Sequence, residues 1–170
     1  MNVALFGFMG VGKSTVGRVL AERSGLRFVD LDAEIEARAG KGIPSIFEEQ
    51  GEAAFREIEK IVALEAAASD RQVIACGGGT VLDAESREGL SETSIMILLT
   101  AEPDTILERV EVEDETRPLL QVDERIGRIE DLLAARNPHY IKAADIIIDT
   151  TGMTPQMVAD HIMRLIGGEL

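Results

Sequence analysis

The stretch Gly7-Phe8-Met9-Gly10-Val11-Gly12-Lys13-Ser14 constrains this chain more than any other, because it satisfies G-x-x-x-x-G-K-[ST]. It lies between a short apolar run, Val3 to Phe6, which reads as a fully buried strand, and Ser14 to Arg23, which reads as a helix with Val16 and Leu20 on one face. Strand, glycine-rich loop and helix in that order make a phosphate-binding loop. The glycines let several backbone N–H groups turn inward, and the helix adds the positive end of its dipole. Lys13 supplies a mobile positive charge and Ser14 a hydroxyl suited to Mg²⁺.

Beyond the loop, Arg27-Phe28-Val29-Asp30 reads as a second strand that runs into Leu31 and Asp32. If the strand continues, both carboxylates project from one face at its carboxyl end, the edge where open α/β sheets bind ligands. Asp32 equally suits the N-cap of the helix that begins at Ala33. Ala39 to Pro44 breaks the pattern, Ile43 starts a short helical segment, and Gly51 punctuates it. A long helix is expected from Glu52 to Ala68, with Phe55, Ile58, Ile61 and Val62 toward the core. Within it, Arg56 and Glu59 stand at i, i+3, the spacing of an ordinary solvated ion pair.

Gln72 to Cys76 is a third buried strand leading straight into Gly77-Gly78-Gly79. Three glycines after a central strand indicate that a backbone comes close to a ligand or another loop, the alternative being a flexible turn. Ser94 to Leu99 is a fourth strand, and Pro103 opens a helix that runs to Val110. Residues 111 to 122 are acidic and poorly patterned around Arg117-Pro118-Leu119-Leu120, which reads as a mobile lid or as a plain surface loop. Asp123 to Arg136 is helical, Asn137-Pro138 is expected to interrupt it, and His139 takes no role. Asp145 to Asp149 is the fifth strand and Pro155 to Ile166 the closing helix. Strands alternating with helices, without repeat or linker, give an α/β fold with a parallel sheet covered on both faces.

At 170 residues the chain suits one α/β domain, residues 1–170, and is too short for two. No apolar run approaches a membrane span, and Met1 leads directly into the first strand, so no leader is expected. The lone Cys76 has no disulfide partner in the chain, which fits a reducing compartment, the cytoplasm. A net charge of −14 disfavours nucleic acid and anionic membranes as partners, so any phosphate ligand must be held by local cations. Thirteen of the 17 basic residues are Arg, which beside 31 carboxylates fits a soluble acidic surface and also a salt-rich cytoplasm.

In order and spacing, several motifs together resemble the shikimate kinase family over nearly the whole chain. They are the loop Gly7 to Thr15, the strand end Phe28 to Asp32, and the series Ile46-Phe47, Gly51-Glu52, Phe55-Arg56 and Glu59. Gly77-Gly78-Gly79, Arg117-Pro118-Leu119-Leu120 and Arg136 with Tyr140 complete the match. The resemblance implies a three-layer α/β/α P-loop kinase fold of the nucleoside-monophosphate-kinase type. Its five parallel strands would run in the order 2-3-1-4-5, with a substrate-binding region at about 31–60 and a lid at about 111–122. The implied reaction moves the γ-phosphoryl group of ATP to the 3-hydroxyl of shikimate, a step of aromatic amino-acid biosynthesis by way of chorismate.

Carried over by position, Gly10, Val11, Gly12, Lys13, Ser14 and Thr15 would hold the ATP phosphates, and Ser14 and Asp30 the single Mg²⁺. Asp32 would hydrogen-bond the attacking hydroxyl, Arg56 and Arg136 would clamp the shikimate carboxylate, and Gly77, Gly78 and Gly79 would contact the ring hydroxyls. Arg117 would close over the phosphates, making Lys13, Asp32 and Arg117 the catalytic set. The family is commonly monomeric. Three positions depart from its pattern: Cys76 stands where Thr is frequent, Glu111 to Glu115 are unusually acidic beside a nucleotide, and Gly152-Met153 replace an Arg of some relatives. Adenine packing then rests on Arg109 and the backbone before Pro155, and ATP affinity is expected to depend on salt. Two alternatives carry different tests: a gluconate-type kinase of the same fold, separable by a substrate panel, and a binding module that holds shikimate or nucleotide without turnover.

Overall fold

Val3, Ala4, Leu5 and Phe6 have no solvent-exposed surface, which for a strand requires cover on both faces and a neighbour on each edge. The computed structural model, which describes residues 1–113 and 122–167 (without side chains for 111–113, 122 and 123), provides both. Strand β1 (Asn2–Phe6) pairs in parallel with β3 (Gln72–Ala75) on one side and β4 (Ser94–Thr100) on the other. β2 (Arg27–Asp30) and β5 (Ile146–Asp149) form the edges, so the five strands run β2-β3-β1-β4-β5, the order expected. The three inner strands are almost wholly buried, whereas the edge strands expose Arg27, Ile147 and Asp149. Inner strands therefore appear in the sequence as unbroken apolar runs.

Helix α1 (Lys13–Ser24) leaves the loop and packs beside α7 (Pro155–Ile166). Thr154 caps α7 by accepting the Met157 N–H, and Pro155 occupies its first turn. Helix α2 (Leu31–Ala39) packs against α3 (Ile43–Ala67), whose other neighbour is α4 (Ala84–Thr93). Gly51 divides α3: its φ of 84° and ψ of 172° belong to a region only glycine occupies freely, so the axis breaks there as expected. α5 (Pro103–Glu113) lies against α6 (Val122–Ala143).

Four expectations need correction. Asp30, the last residue of β2, is itself the N-cap of α2, and Asp32 lies in that helix's first turn rather than on a continued strand. Leu31, fully buried, begins the helix one residue after the strand ends. In α3, Ile61 is 44% exposed while Glu59 is buried, because the glycine triplet leaves room for a carboxylate on the inner face. Pro138 does not interrupt α6, which continues to Ala143. An internal proline costs about 3 kcal/mol, and Ile129 and Leu133 on one side and buried Tyr140 on the other anchor the helix across it. Finally, residues 80–93 hold a 3-10 turn (Thr80–Leu82) and α4, capped by Asp83 through the Ser86 N–H, where the sequence reading assigned nothing.

Candidate active site

The parallel strands deliver their carboxyl ends to one edge, and there the loop between β1 and α1 borders a cavity of about 630 Å³. Gly10 through Thr15 form its floor, Asp30, Asp32 and Cys76 one end, and Arg109, Thr150, Met153, Pro155 and Val158 the other. Gly7 begins the loop with φ 138°, and a Cβ there would sit 2.2 Å from the Leu99 carbonyl oxygen, so no other residue fits. Lys13 Nζ donates to the carbonyls of Gly7 at 3.1 Å and Phe8 at 2.9 Å, which folds its charge back along the loop.

Ser14 Oγ donates to Asp30 Oδ2 at 2.7 Å, while Asp30 Oδ1 accepts the Asp32 N–H at 3.1 Å. One carboxylate thus joins the loop helix to α2. Hydroxyl and carboxylate oxygens are hard donors of the kind Mg²⁺ takes alongside waters and substrate phosphates, so the pair fits the expected metal. No cluster of three or more His, Cys, Asp or Glu that could hold a metal stands among the described residues.

Asp32 opens to the cavity but is hemmed in by its walls. Burial and the adjacent Asp30 charge push its carboxyl above the ordinary aspartate range; Lys13 pulls it down, and Glu59 and Glu36 add to the rise. Cys76 is buried and its thiol is pushed up to about 12 by that burial, so it stays protonated and serves as packing.

A second cavity, about 360 Å³, is lined by Arg56, Glu59, Lys60, Gly79, Leu82 and Arg136 among others. Here the glycine triplet acts by what it lacks. A Cβ on Gly79 would lie 2.2 Å from Arg56 Nη1, and one on Gly77 would lie 2.9 Å from Glu59 Oε1 and 3.0 Å from Asp32 Oδ1. Gly78 faces Arg136, whose Nη1 would be 3.5 Å from a Cβ there. The backbone after β3 therefore comes close to four charged side chains, Asp32, Arg56, Glu59 and Arg136, all carried by helices rather than by another loop. Buried Glu59 is fixed at the second cavity from two sides: Oε2 accepts from Arg56 Nη1 at 2.6 Å and Oε1 from Thr80 Oγ1 at 2.8 Å. Burial alone would lower the Arg56 pKa, but the Glu59 hydrogen bond and charge, with Glu52, hold it above its ordinary value.

Residues the sequence reading missed complete the frame. The Arg136 guanidinium sits 5.6 Å above the Phe8 ring, so a loop residue supports it. Thr150, buried at the end of β5, lies 3.1 Å from the Val11 carbonyl and accepts from Arg109, which also reaches the Gly10 carbonyl at 3.2 Å. Arg109 thus borders the cavity, lying across the loop. A threonine following a strand at the carboxyl edge was the available signal for Thr150; Phe8, inside an otherwise polar loop, carried none. Arg117 and most of the expected lid lie outside the described residues.

A phosphate-binding loop, a hydroxyl–carboxylate pair beside it and a neighbouring pocket with two guanidiniums define a P-loop phosphotransferase acting on a small anionic acceptor. The family model for shikimate kinase matches residues 9–167, and the chain belongs to the shikimate kinase family. It is 47% identical over 165 residues to the shikimate kinase of Symbiobacterium thermophilum, covering 96% of this chain and 95% of that one. Against the shikimate kinase of Halorhodospira halophila it is 42% identical over 168 residues, 99% and 94% of the two chains. Its fold is similar to that of Acinetobacter baumannii shikimate kinase in complex with shikimate, with a TM-score of 0.89 and 40% identity over 99% of this chain and 94% of that one. The chain is accordingly a kinase that phosphorylates shikimate with ATP in aromatic biosynthesis.

Proposed function

We propose the following division of labour for phosphoryl transfer from ATP to the 3-hydroxyl of shikimate. The observation that carries it is the adjacency of Asp32 and Glu59 around Gly77, which joins a phosphate cavity to a pocket with two arginines. Gly10 to Thr15 bind the triphosphate through backbone N–H groups, and Lys13 exchanges its loop carbonyls for phosphate oxygens. Ser14 and Asp30 would hold Mg²⁺, which when bound would offset negative charge on the phosphates. Arg56 and Arg136 receive the carboxylate, which matches paired guanidinium donors. Gly77, Gly78 and Gly79 meet the ring hydroxyls, and Asp32 orients the hydroxyl that attacks.

A carboxylate is a weak base toward an alcohol, even one raised by burial. Asp32 therefore acts first by position and accepts the proton late, once bond formation has acidified the hydroxyl. A loose transition state asks for placement and cations more than for a strong base. Arg109 borders the adenosine end, and Arg117 closes over the phosphates from a lid at about 111–122. We assign the whole chain to one domain, acting as a cytoplasmic monomer; no helix of the described residues is long and apolar enough to cross a membrane.

The product tests this reading. Phosphorus–proton correlation NMR of the reaction mixture is expected to couple the new phosphate to the proton on C3 of shikimate; coupling at another carbon would overturn the placement of Asp32. Lys13→Ala and Asp32→Asn are each expected to lower kcat by at least about 10²-fold, the scale of one lost transition-state contact.

A further inference from the structure

Tyr140 is the only tyrosine of the chain and heads the fully buried side chains by volume. A buried phenol requires partners for its hydroxyl. Its Oη donates to the Gly78 carbonyl at 2.5 Å. Arg136, one turn earlier on α6, directs its guanidinium at the same oxygen. The polarity of this relay has one solution: arginine has donors only, so Arg136 gives to Oη, and the single phenol proton goes to Gly78. The ring is held edge-on by Phe6 of β1, centroids 6.1 Å apart, while Phe8 supports the far side of Arg136. A Cβ on Gly78 would meet Arg136 Nη1 at 3.5 Å and Tyr140 Oη at 3.9 Å, so loop, phenol and guanidinium form one layer.

We propose that Tyr140 is a positioning residue for the acceptor: its hydroxyl joins Arg136 and the Gly78 peptide into one rigid unit before shikimate arrives. The inference rests on reading Arg136 and Gly78 as acceptor contacts. Without the hydroxyl, the guanidinium and the Gly78 peptide move independently, and the acceptor must order both on binding. The cost falls on acceptor binding, and the phosphate cavity is spared.

Tyr140→Phe keeps the ring against Phe6 and removes only the oxygen. The expected result is a KM for shikimate raised about 10-fold, one hydrogen bond to a charged group being worth roughly that, with kcat within about threefold and KM for ATP unchanged. In an Arg136→Ala background the same substitution should raise the shikimate KM by less than about threefold, since coupled residues are not additive. An unchanged shikimate KM, equal rises for ATP and shikimate, or full additivity with Arg136→Ala would overturn the proposal. If Arg136→Ala itself leaves the shikimate KM unchanged, the underlying site reading fails instead.

The solitary tyrosine permits a second test that avoids an unstable variant. Global replacement of tyrosine by 3,5-difluorotyrosine alters this one phenol and lowers its pKa. The charged groups facing it are Arg136 on its own helix and Arg56 and Glu59 across from α3. Once ionised, the phenol has no proton for the Gly78 carbonyl. The shikimate KM of the fluorinated enzyme should rise with pH where that of the unlabelled enzyme is flat; parallel profiles would contradict the role.

Discussion

Arg56 Nη1 lies 2.6 Å from Glu59 Oε2, and the carboxylate is buried while the guanidinium is partly open to the second cavity. A buried charge keeps its place only if paired. Glu59 therefore depends on Arg56 for tolerance as much as Arg56 depends on Glu59 for orientation, and the same contact serves stability and acceptor binding.

Removing Arg56 should act on both. Arg56→Ala is expected to raise the shikimate KM well above its effect on kcat, and to lower stability by about 1–3 kcal/mol because Glu59 is left under-satisfied. Arg56→Ala with Glu59→Ala should be less unstable than the two single losses summed. Urea unfolding of the four proteins checks this, and strict additivity would mean the pair does not interact.

Gly79 has φ −100° and ψ −15°, a conformation alanine adopts without strain. The Cβ of Gly79→Ala would nevertheless meet Arg56 Nη1 at 2.2 Å, so the effect should be displacement of the clamp: a higher shikimate KM, with unchanged KM for ATP. Gly127→Ala in α6, with nothing within 4 Å of its Cβ, serves as the control and should leave kinetics alone. Equal kinetics for both variants would remove Gly79 from the acceptor site.

The raised pKa of Asp32 has a sign that melting curves can read. Because burial and Asp30 make the folded protein hold this proton more tightly than the unfolded chain does, the ionised carboxylate lowers stability. The loss sets in as pH rises from the ordinary aspartate value through the raised one, and persists at neutral pH. Asp32→Asn should therefore melt higher than wild type at pH 7, with the gap closing in acid, although it turns over at least about 10²-fold more slowly. The acid limb of the wild-type kcat profile should lie above the ordinary aspartate range and vanish in the residual activity of the variant. A lower Tm for Asp32→Asn at pH 7 would contradict the account.

How much of this was legible beforehand depended on the range of the interaction concerned. Val3 to Phe6 and Ser94 to Leu99 were readable as strands because a parallel strand buried on both faces leaves an unbroken apolar run. The boundary at Asp30 was not, since one residue is both the last of the strand and the N-cap of the helix, and the cap preference for aspartate fits Asp32 equally well. Glu59 looked like the solvated half of an i, i+3 pair; its burial follows from the bare backbone at Gly77, which approaches only in the folded sheet. Pro138 obeyed its local rule on paper, yet tertiary anchoring at Tyr140 overrode it. Short-range chemistry was visible, and contacts made across the sheet edge were not.

Ser14 Oγ donates to Asp30 Oδ2 at 2.7 Å, and both oxygens are proposed to face Mg²⁺. Ser14→Ala should raise the Mg²⁺ concentration for half-maximal activity by about 10-fold or more, the lower end of what outer contacts of metal sites contribute. Chelation should abolish turnover in the wild type. An unchanged Mg²⁺ titration in Ser14→Ala would move the metal away from this pair.

Coupled ADP release with ATP and Mg²⁺ tests the central claim most directly, with shikimate, quinate, gluconate and no acceptor compared at low and high KCl. The two-arginine pocket beside Asp32 predicts turnover confined to shikimate. Silence with every acceptor, while calorimetry still shows shikimate or nucleotide binding, would contradict it and make the chain a binding module; turnover with gluconate instead would assign the clamp to another acid.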